Sequence, residues 1–395
     1  MPTAASWTDP VADVRHLLRF RAGTVRRRAA LVWALVGMVA TTVAVAVVPA
    51  FTPGAGDSDR ALDVTVLLPA GFAGFLALAV ISAVVSGGGR ELLPRDQGAP
   101  YPISPTTDHL GALLLAPLNI AWLLQAWALL GSSAYGLGSE RFAAALPVVV
   151  LWVVASTAAA QVVAWSMEAV RRRRHGVLAF RAMTVSVGVV AVWLQVTERL
   201  TSVLDQLPTV WIVVGAVDGV SWRWALTLLV EVLLVVGAVL LGIVPAHLAA
   251  RRAPRDELRL ESENREPLPM PRTDLLGLIR TDRSSVWRTV PMRRGMMVLA
   301  IGPGLVAIAG DLMWATMTIL PGLVASGGAL LFGVNAWCLD GRGALWRESL
   351  PIEPSRVFAA RAFVLGEFLL VASAITIALG SLRAGVPDAS VEPIA

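Results

Sequence analysis

The sequence predicts an all-α integral membrane protein, a polytopic bundle of about nine transmembrane helices. Three observations carry this. Of the 395 residues, 56% are hydrophobic and only 15% charged, with a mean hydropathy of +0.68, where a soluble domain has about 25% charged residues. Several apolar runs reach the roughly 20 residues that cross a bilayer core. And one polar loop is spelled twice. Residues 89–105 and 341–354 each begin with Gly-Arg, end in Pro-Ile-x-Pro and lead into an apolar run. The alternating ten-residue segments of a β-barrel are absent.

Residues 1–28 form a polar, Arg-rich segment in which Val14, Leu17 and Leu18 share a helical face, as an amphipathic helix at a membrane surface would place them. No cleavable signal peptide is expected there. Spans are expected at 29–50 and 64–86, with the first repeated loop at 87–105. Ser104-Pro105 reads as the N-cap and first residue of a third helix, about 106–131. A fourth, about 143–168, runs into Arg171-Arg172-Arg173-Arg174, read as an anchor against anionic lipid. The fifth is about 178–198. The apolar patch 208–217 is too short to cross, and the sixth span is 222–248.

These six make a first half over 29–250. Residues 251–273, rich in Arg, Glu and Pro, read as a cytosolic linker. The segment 274–291 reads as a second amphipathic helix: Asp13, Leu17, Arg19, Val25 and Arg27 recur at one spacing as Asp274, Leu278, Arg280, Val286 and Arg288. Three spans follow within 292–382, at about 292–310, 314–336 and 354–382, with the second loop at 337–353. Residues 383–395 form an external tail. Six spans separate the copies, so the repeat is parallel, six helices and a truncated three.

Arginine fixes the expected orientation. The chain contains no lysine, and 26 of its 33 basic residues fall in segments on one side of this topology. The positive-inside rule places that side, with the N-terminus and both loops, in the cytosol of a cell membrane. The all-arginine usage suggests a GC-rich genome.

Chemistry is sparse. The phosphate-binding loop of a nucleotide hydrolase needs a lysine, so no ATP hydrolysis is expected on this chain. No Cys/His cluster suggests a metal, no cofactor is implied, and Cys338 is the only cysteine. His16, His109, His175 and His247 read as helix-end residues at the membrane interface. An enzyme is not expected, nor a nucleic-acid partner. Ionisable residues within spans are costly and point to function. Glu231 and Glu367 are the best placed, with Asn119 and Asn335 as polar companions and Gln125, Gln161 and Gln195 weaker; the plainer reading is interhelical hydrogen bonding.

The run Asn335-Ala-Trp-Cys-Leu-Asp340-Gly341-Arg342-Gly343, continuing to Leu350-Pro351-Ile352-Glu353-Pro354, resembles the permease subunits of ABC-2-type exporters, in particular large actinobacterial ones. The segment Ser284 to Gly295 is similar to their pre-helix stretch. The resemblance covers the whole chain in layout and about 284–367 in specific residues; the first loop lacks counterparts of Asn335 and Asp340. It implies a permease subunit that forms the membrane pathway and docks a separate ABC ATPase, and it leaves room for a permease dimer. The docking residues would be Arg90 and Glu91 in the first loop, and Asp340, Gly341, Arg342, Trp346 and Arg347 in the second. The prolines at 102, 105, 351 and 354 would stiffen the join between loop and helix.

Two other readings stand beside this one. A major-facilitator-like secondary transporter also has parallel halves and a Gly/Asp/Arg loop between spans two and three. A shortened, inactive membrane scaffold would suit the six-plus-three count.

Overall fold

The computed structural model describes residues 9–23, 27–85, 103–197, 199, 202–203, 206–252, 269, 271–288, 290–309, 312–332, 349 and 351–384. Its regular elements are all helical, with no strand among the described residues. Two compact units emerge: Met1–Val185 with Leu200–Glu261, and Ser186–Arg199 with Ser262–Ala395.

The first unit contains α1 (Pro10–Gly23), α2 (Arg28–Val47), α3 (Asp59–Val85), α4 (Pro105–Leu115), α5 (Ile120–Arg171), α7 (Pro208–Val217) and α8 (Trp222–Ala250). Helix α6 (Gly176–Val196) runs from this unit into the second.

Helix α5 is 52 residues long but doubles back. Gly138 breaks it with φ 67° and ψ 175°, a conformation open to glycine and strained for other residues. The Trp122 indole N–H donates to Thr157 Oγ1 at 2.9 Å from the opposite side of Gly138, so the two arms, 120–137 and 139–171, are antiparallel. The turn after α2 packs onto this break. Gly56, itself at φ 81°, donates its N–H to the Tyr135 carbonyl at 3.0 Å, and a Cβ on Gly56 would lie 3.1 Å from Gly138 Cα. Thr65 Oγ1 donates to the Gly136 carbonyl at 2.9 Å.

The core of this unit joins α3, both arms of α5, and α7 through Phe72, Phe75, Leu129, Val149, Trp152 and Ile212. Indole N–H groups tie the helices together: Trp152 to the Phe72 carbonyl at 2.9 Å, Trp127 to Thr42 Oγ1 at 2.8 Å, and Trp224 to the Ala144 carbonyl at 2.7 Å. In an apolar environment such bonds are worth making because an unpaired N–H is expensive. Helix α8 runs parallel to the second arm of α5, since Trp224 meets Ala144 near their starts and Arg172 meets Ala249 near their ends.

The helix ends of this unit therefore sort into two groups. One gathers the starts of α1 and α4 and the ends of α5 and α8, linked by Asp13–Thr107, Thr106–His247 and Arg172–Ala249. The other gathers the α2–α3 turn, the Gly138 break and the start of α8.

The second unit contains α9 (Asp274–Arg288), α10 (Val290–Ala309), α11 (Ile319–Phe332) and α12 (Pro354–Ala384). Helix α10 lies along α12: Thr376 Oγ1 donates to the Ala300 carbonyl at 2.7 Å, and Gly304 lets the Leu379 side chain approach. Helix α11 closes on both through Ala300, Val324 and Ala372.

Among the described residues, five helical stretches are long and apolar enough to cross a membrane: Arg28–Phe51, Asp59–Val84, Trp122–Arg171, Trp222–Ala250 and Pro354–Leu382. Large apolar side chains stand exposed on them, among them Trp33, Val66, Leu229 and Leu370. Exposed apolar faces of this extent are ones that lipid covers, and they mark a membrane protein.

The nine expected spans are recovered in part. The third is interrupted. Pro117 has no N–H and clashes with the carbonyl one turn back, and the helix breaks into a 3-10 turn at Ala116–Leu118 before α5 begins. The expected outer turn between spans three and four shrinks to the break at Gly138. The apolar parts of α10 and α11, Gly295–Ile308 and Ile319–Gly328, are short, as is the patch Pro208–Val217. Arg293 and Arg294 stand near the start of α10, ahead of its apolar part.

Candidate functional site

The chemistry that can be located lies at two helix seams, one in each unit, and at buried polar groups in the first. Each seam begins with a proline. Ser104 accepts the Thr107 N–H at 3.0 Å with φ −76° and ψ 148°, and Pro105 opens α4, as the sequence expects. Pro354 opens α12 in the same way.

In the first unit α1 packs on α4. Val14 is buried with Leu115, and Leu17, Leu18 and Leu110 complete the cluster. At its edge Thr107 Oγ1 donates to Asp13 Oδ2 at 3.5 Å. In the second unit α9 packs on α12. Leu278, Ile279 and Val286 face Ala360, Val364 and Phe368, and the Trp287 ring meets Phe368 edge-on at 6.0 Å. Arg356 Nη1 lies 3.4 Å from Asp274 Oδ2. Further along, Arg361 Nε lies 3.9 Å from Asp282 Oδ2, with both side chains buried. Arg283 Nε donates to Glu367 Oε2 at 2.7 Å. These pairs advance along both helices together, so α9 and α12 run in the same direction.

Glu367 thus has a cationic partner on the amphipathic helix, and its side chain is partly exposed. Glu231 is the opposite case. It is fully buried on α8, and neither carboxyl oxygen has a hydrogen-bond partner. Asn119 sits at the break between α4 and α5, half-buried, where its N–H donates to the Ala116 carbonyl at 3.0 Å and its carbonyl accepts from Leu123 at 2.8 Å. Arg90, Glu91, Asn335, Asp340, Gly341, Arg342, Trp346 and Arg347 lie outside the described residues, as do most residues of the two loops and of the linker 251–273.

Two expectations need correction. His109 is not an interfacial helix-end residue. It is fully buried, with Nε2 3.1 Å from the Val239 carbonyl, and the ring rests on Gly242, where a Cβ would overlap it. Sequence carries one signal for this, a glycine on the partner helix, but not its register. The arginine run is not a uniform lipid anchor either. Arg172 is buried. Its Nε donates to Glu168 at 2.9 Å, and its Nη1 to the carbonyls of Ala249 at 2.6 Å and Arg252 at 2.9 Å. It closes the C-terminus of α8, where backbone carbonyls lack helical partners and a cation is favoured. Nothing in the spelling of four consecutive arginines singles out the second. The ion pair Asp282–Arg361 was equally illegible, because sequence does not give the register of α9 on α12.

Among the described residues no cluster of His, Cys, Asp and Glu could hold a metal. No family model, curated protein or solved structure matches the chain.

Proposed function

We propose that this chain is the membrane permease subunit of an ATP-driven, ABC-2-like exporter, with its N-terminus in the cytosol and a separate ATPase docked through loops 87–105 and 337–353. One observation carries the reading. Asp13 meets Thr107, and Asp274 meets Arg356. The two aspartates are equivalent in the amphipathic repeat, and Thr107 and Arg356 each stand two residues after the proline that ends a repeated loop. The same joint, amphipathic helix on loop-exit helix, thus occurs once in each unit. A parallel repeat of that joint is what a two-sided docking surface requires: each loop is fastened to a helix that enters the membrane, so a push on the loop moves the helix. The resemblance of 335–354 to such permeases supplies the partner's class, and the absence of lysine puts ATP hydrolysis on another chain.

The test is affinity purification of the full chain from its native membrane, with partners quantified by mass spectrometry. The expected result is an ABC ATPase recovered with the wild type and lost with Arg90→Glu and Arg342→Glu. Purification without any such ATPase, or equal recovery with both variants, overturns the reading.

Glu231 favours a second reading, a secondary transporter, since a buried carboxyl lacking a counter-charge suits proton coupling. Solute uptake by membrane vesicles on a proton gradient without ATP, abolished by Glu231→Gln, would support it over the exporter.

A further inference from the structure

Arg172 does more than close α8. By holding the carbonyls of Ala249 and Arg252 it brings two basic stretches, far apart in sequence, to one place. Arg173 and Arg174 on one side, and Arg251 and Arg252 on the other, are all exposed. Glu168 is the single acid in the two segments 165–181 and 244–252, and it is already engaged by Arg171 at 3.2 Å and Arg172 at 2.9 Å. The two segments together are therefore strongly positive. The field they create is fixed in place by buried hydrogen bonds.

A second, independent observation says what such a field faces. Leu241, Val244 and Leu248 are 63%, 60% and 44% exposed. Their spacing of three and four residues puts them on one face of α8, and Arg251, still in helical conformation at φ −65° and ψ −10°, continues that face. An apolar stripe of helix leads straight up to a cluster of arginines. A soluble anion matches only the arginines, and an acidic protein segment would leave the stripe bare. A molecule with a phosphate at one end and hydrocarbon at the other matches both.

We propose that Arg173, Arg174, Arg251 and Arg252, with the Leu241–Val244–Leu248 stripe, form a binding site for an anionic phospholipid. The headgroup phosphate sits between the two arginine pairs, where guanidinium groups can grip it in bidentate fashion. An acyl chain lies along the stripe. Basic pockets between transmembrane helices at the cytosolic side suit this chemistry. The site is independent of whether the chain is an exporter permease. It also splits the arginine run between two roles, with Arg172 building the site and its neighbours holding the lipid.

The experiment uses the full-length protein in nanodiscs of phosphatidylcholine with a minor fraction of phosphatidylglycerol or cardiolipin, re-extracted gently and analysed by native mass spectrometry for retained lipid. The wild type is expected to retain the anionic lipid and not phosphatidylcholine. Arg251→Gln/Arg252→Gln is expected to weaken retention roughly thirtyfold, the usual worth of two arginines against an anionic headgroup. Arg27→Gln/Arg28→Gln removes the same charge at the start of α2, from residues that are not part of the site, and is expected to leave retention unchanged. Leu241→Ser/Leu248→Ser keeps every charge and is expected to weaken retention as well. All three variants change exposed positions, and an unchanged elution profile verifies that each is folded. Equal loss from the two arginine variants would show a diffuse field and overturn the site. Unchanged retention in the leucine variant, or displacement of the lipid by inorganic phosphate, would show a free-anion site and overturn the lipid.

Discussion

Asp282 and Arg361 face each other across the α9–α12 seam at 3.9 Å, with their side chains 1% and 8% exposed. An ion pair this deep joins the amphipathic helix to the longest helix of the second unit by more than apolar packing. Removing one partner leaves the other charge buried without that counter-charge, which typically costs about 3–5 kcal/mol. Arg361→Leu is therefore expected to destabilise the second unit by roughly 3 kcal/mol. The double change Asp282→Leu/Arg361→Leu should recover most of the loss, because two apolar groups of similar size replace the pair. Urea unfolding in detergent, followed by circular dichroism, reads both.

The neighbouring pair behaves differently. Arg283 and Glu367 lie at 2.7 Å but remain 44% and 36% exposed, so solvent and salt screen them. Glu367→Gln is expected to cost less than about 1 kcal/mol. A loss as large as that of Arg361→Leu in the same unfolding series would show that Glu367 does more than pair with Arg283.

Gly242 and His109 make a testable contact. A methyl on Gly242 would overlap the imidazole and push α4 from α8, breaking the bond from His109 Nε2 to the Val239 carbonyl. Gly242→Ala should destabilise the first unit by about 1–3 kcal/mol, the usual cost of overpacking. In the background of His109→Ala, where the ring is gone, the same change should be nearly silent. Additive losses in this double-mutant cycle would show that the two residues do not touch.

Gly138 should tolerate no side chain. Its φ of 67° and ψ of 175° strain other residues, and a Cβ would lie 3.0 Å from the Ala55 carbonyl oxygen. Gly138→Ala is expected to cost about 1–3 kcal/mol. Gly37→Ala, in α2 with nothing within 4 Å of the added methyl, should be neutral or stabilise by up to about 1 kcal/mol. Thermal unfolding of the two variants side by side tests the contrast.

What could be read from the sequence and what could not divide along a physical line. Apolar length was legible, so the helices around Val39, Leu76 and Leu234 fall where hydropathy places them. Capping was legible, because Ser104 and Pro105 act within a few residues of themselves. The amphipathic faces of α1 and α9 were legible from the spacing of Leu17 and Leu278. Registers between distant helices were not. Arg172 binds Ala249, His109 rests on Gly242, and Asp282 faces Arg361 only because helices pack at one offset among many. Pro117 was visible, yet its helix was expected to run through it, since a proline in a membrane helix breaks or merely bends it depending on the neighbours.

The contact between Gly56 and Gly138 has a consequence for biosynthesis. The turn 52–58 emerges from the ribosome about eighty residues before its partner does. At roughly 5–20 residues per second, the glycine turn between α2 and α3 waits on the order of 4–16 s without its partner. Covering of this turn, though not of the rest of the first unit, is thus timed by the arrival of Gly138. Slowing translation between codons 60 and 135 lengthens the interval in which that turn is open to membrane proteases and insertion factors.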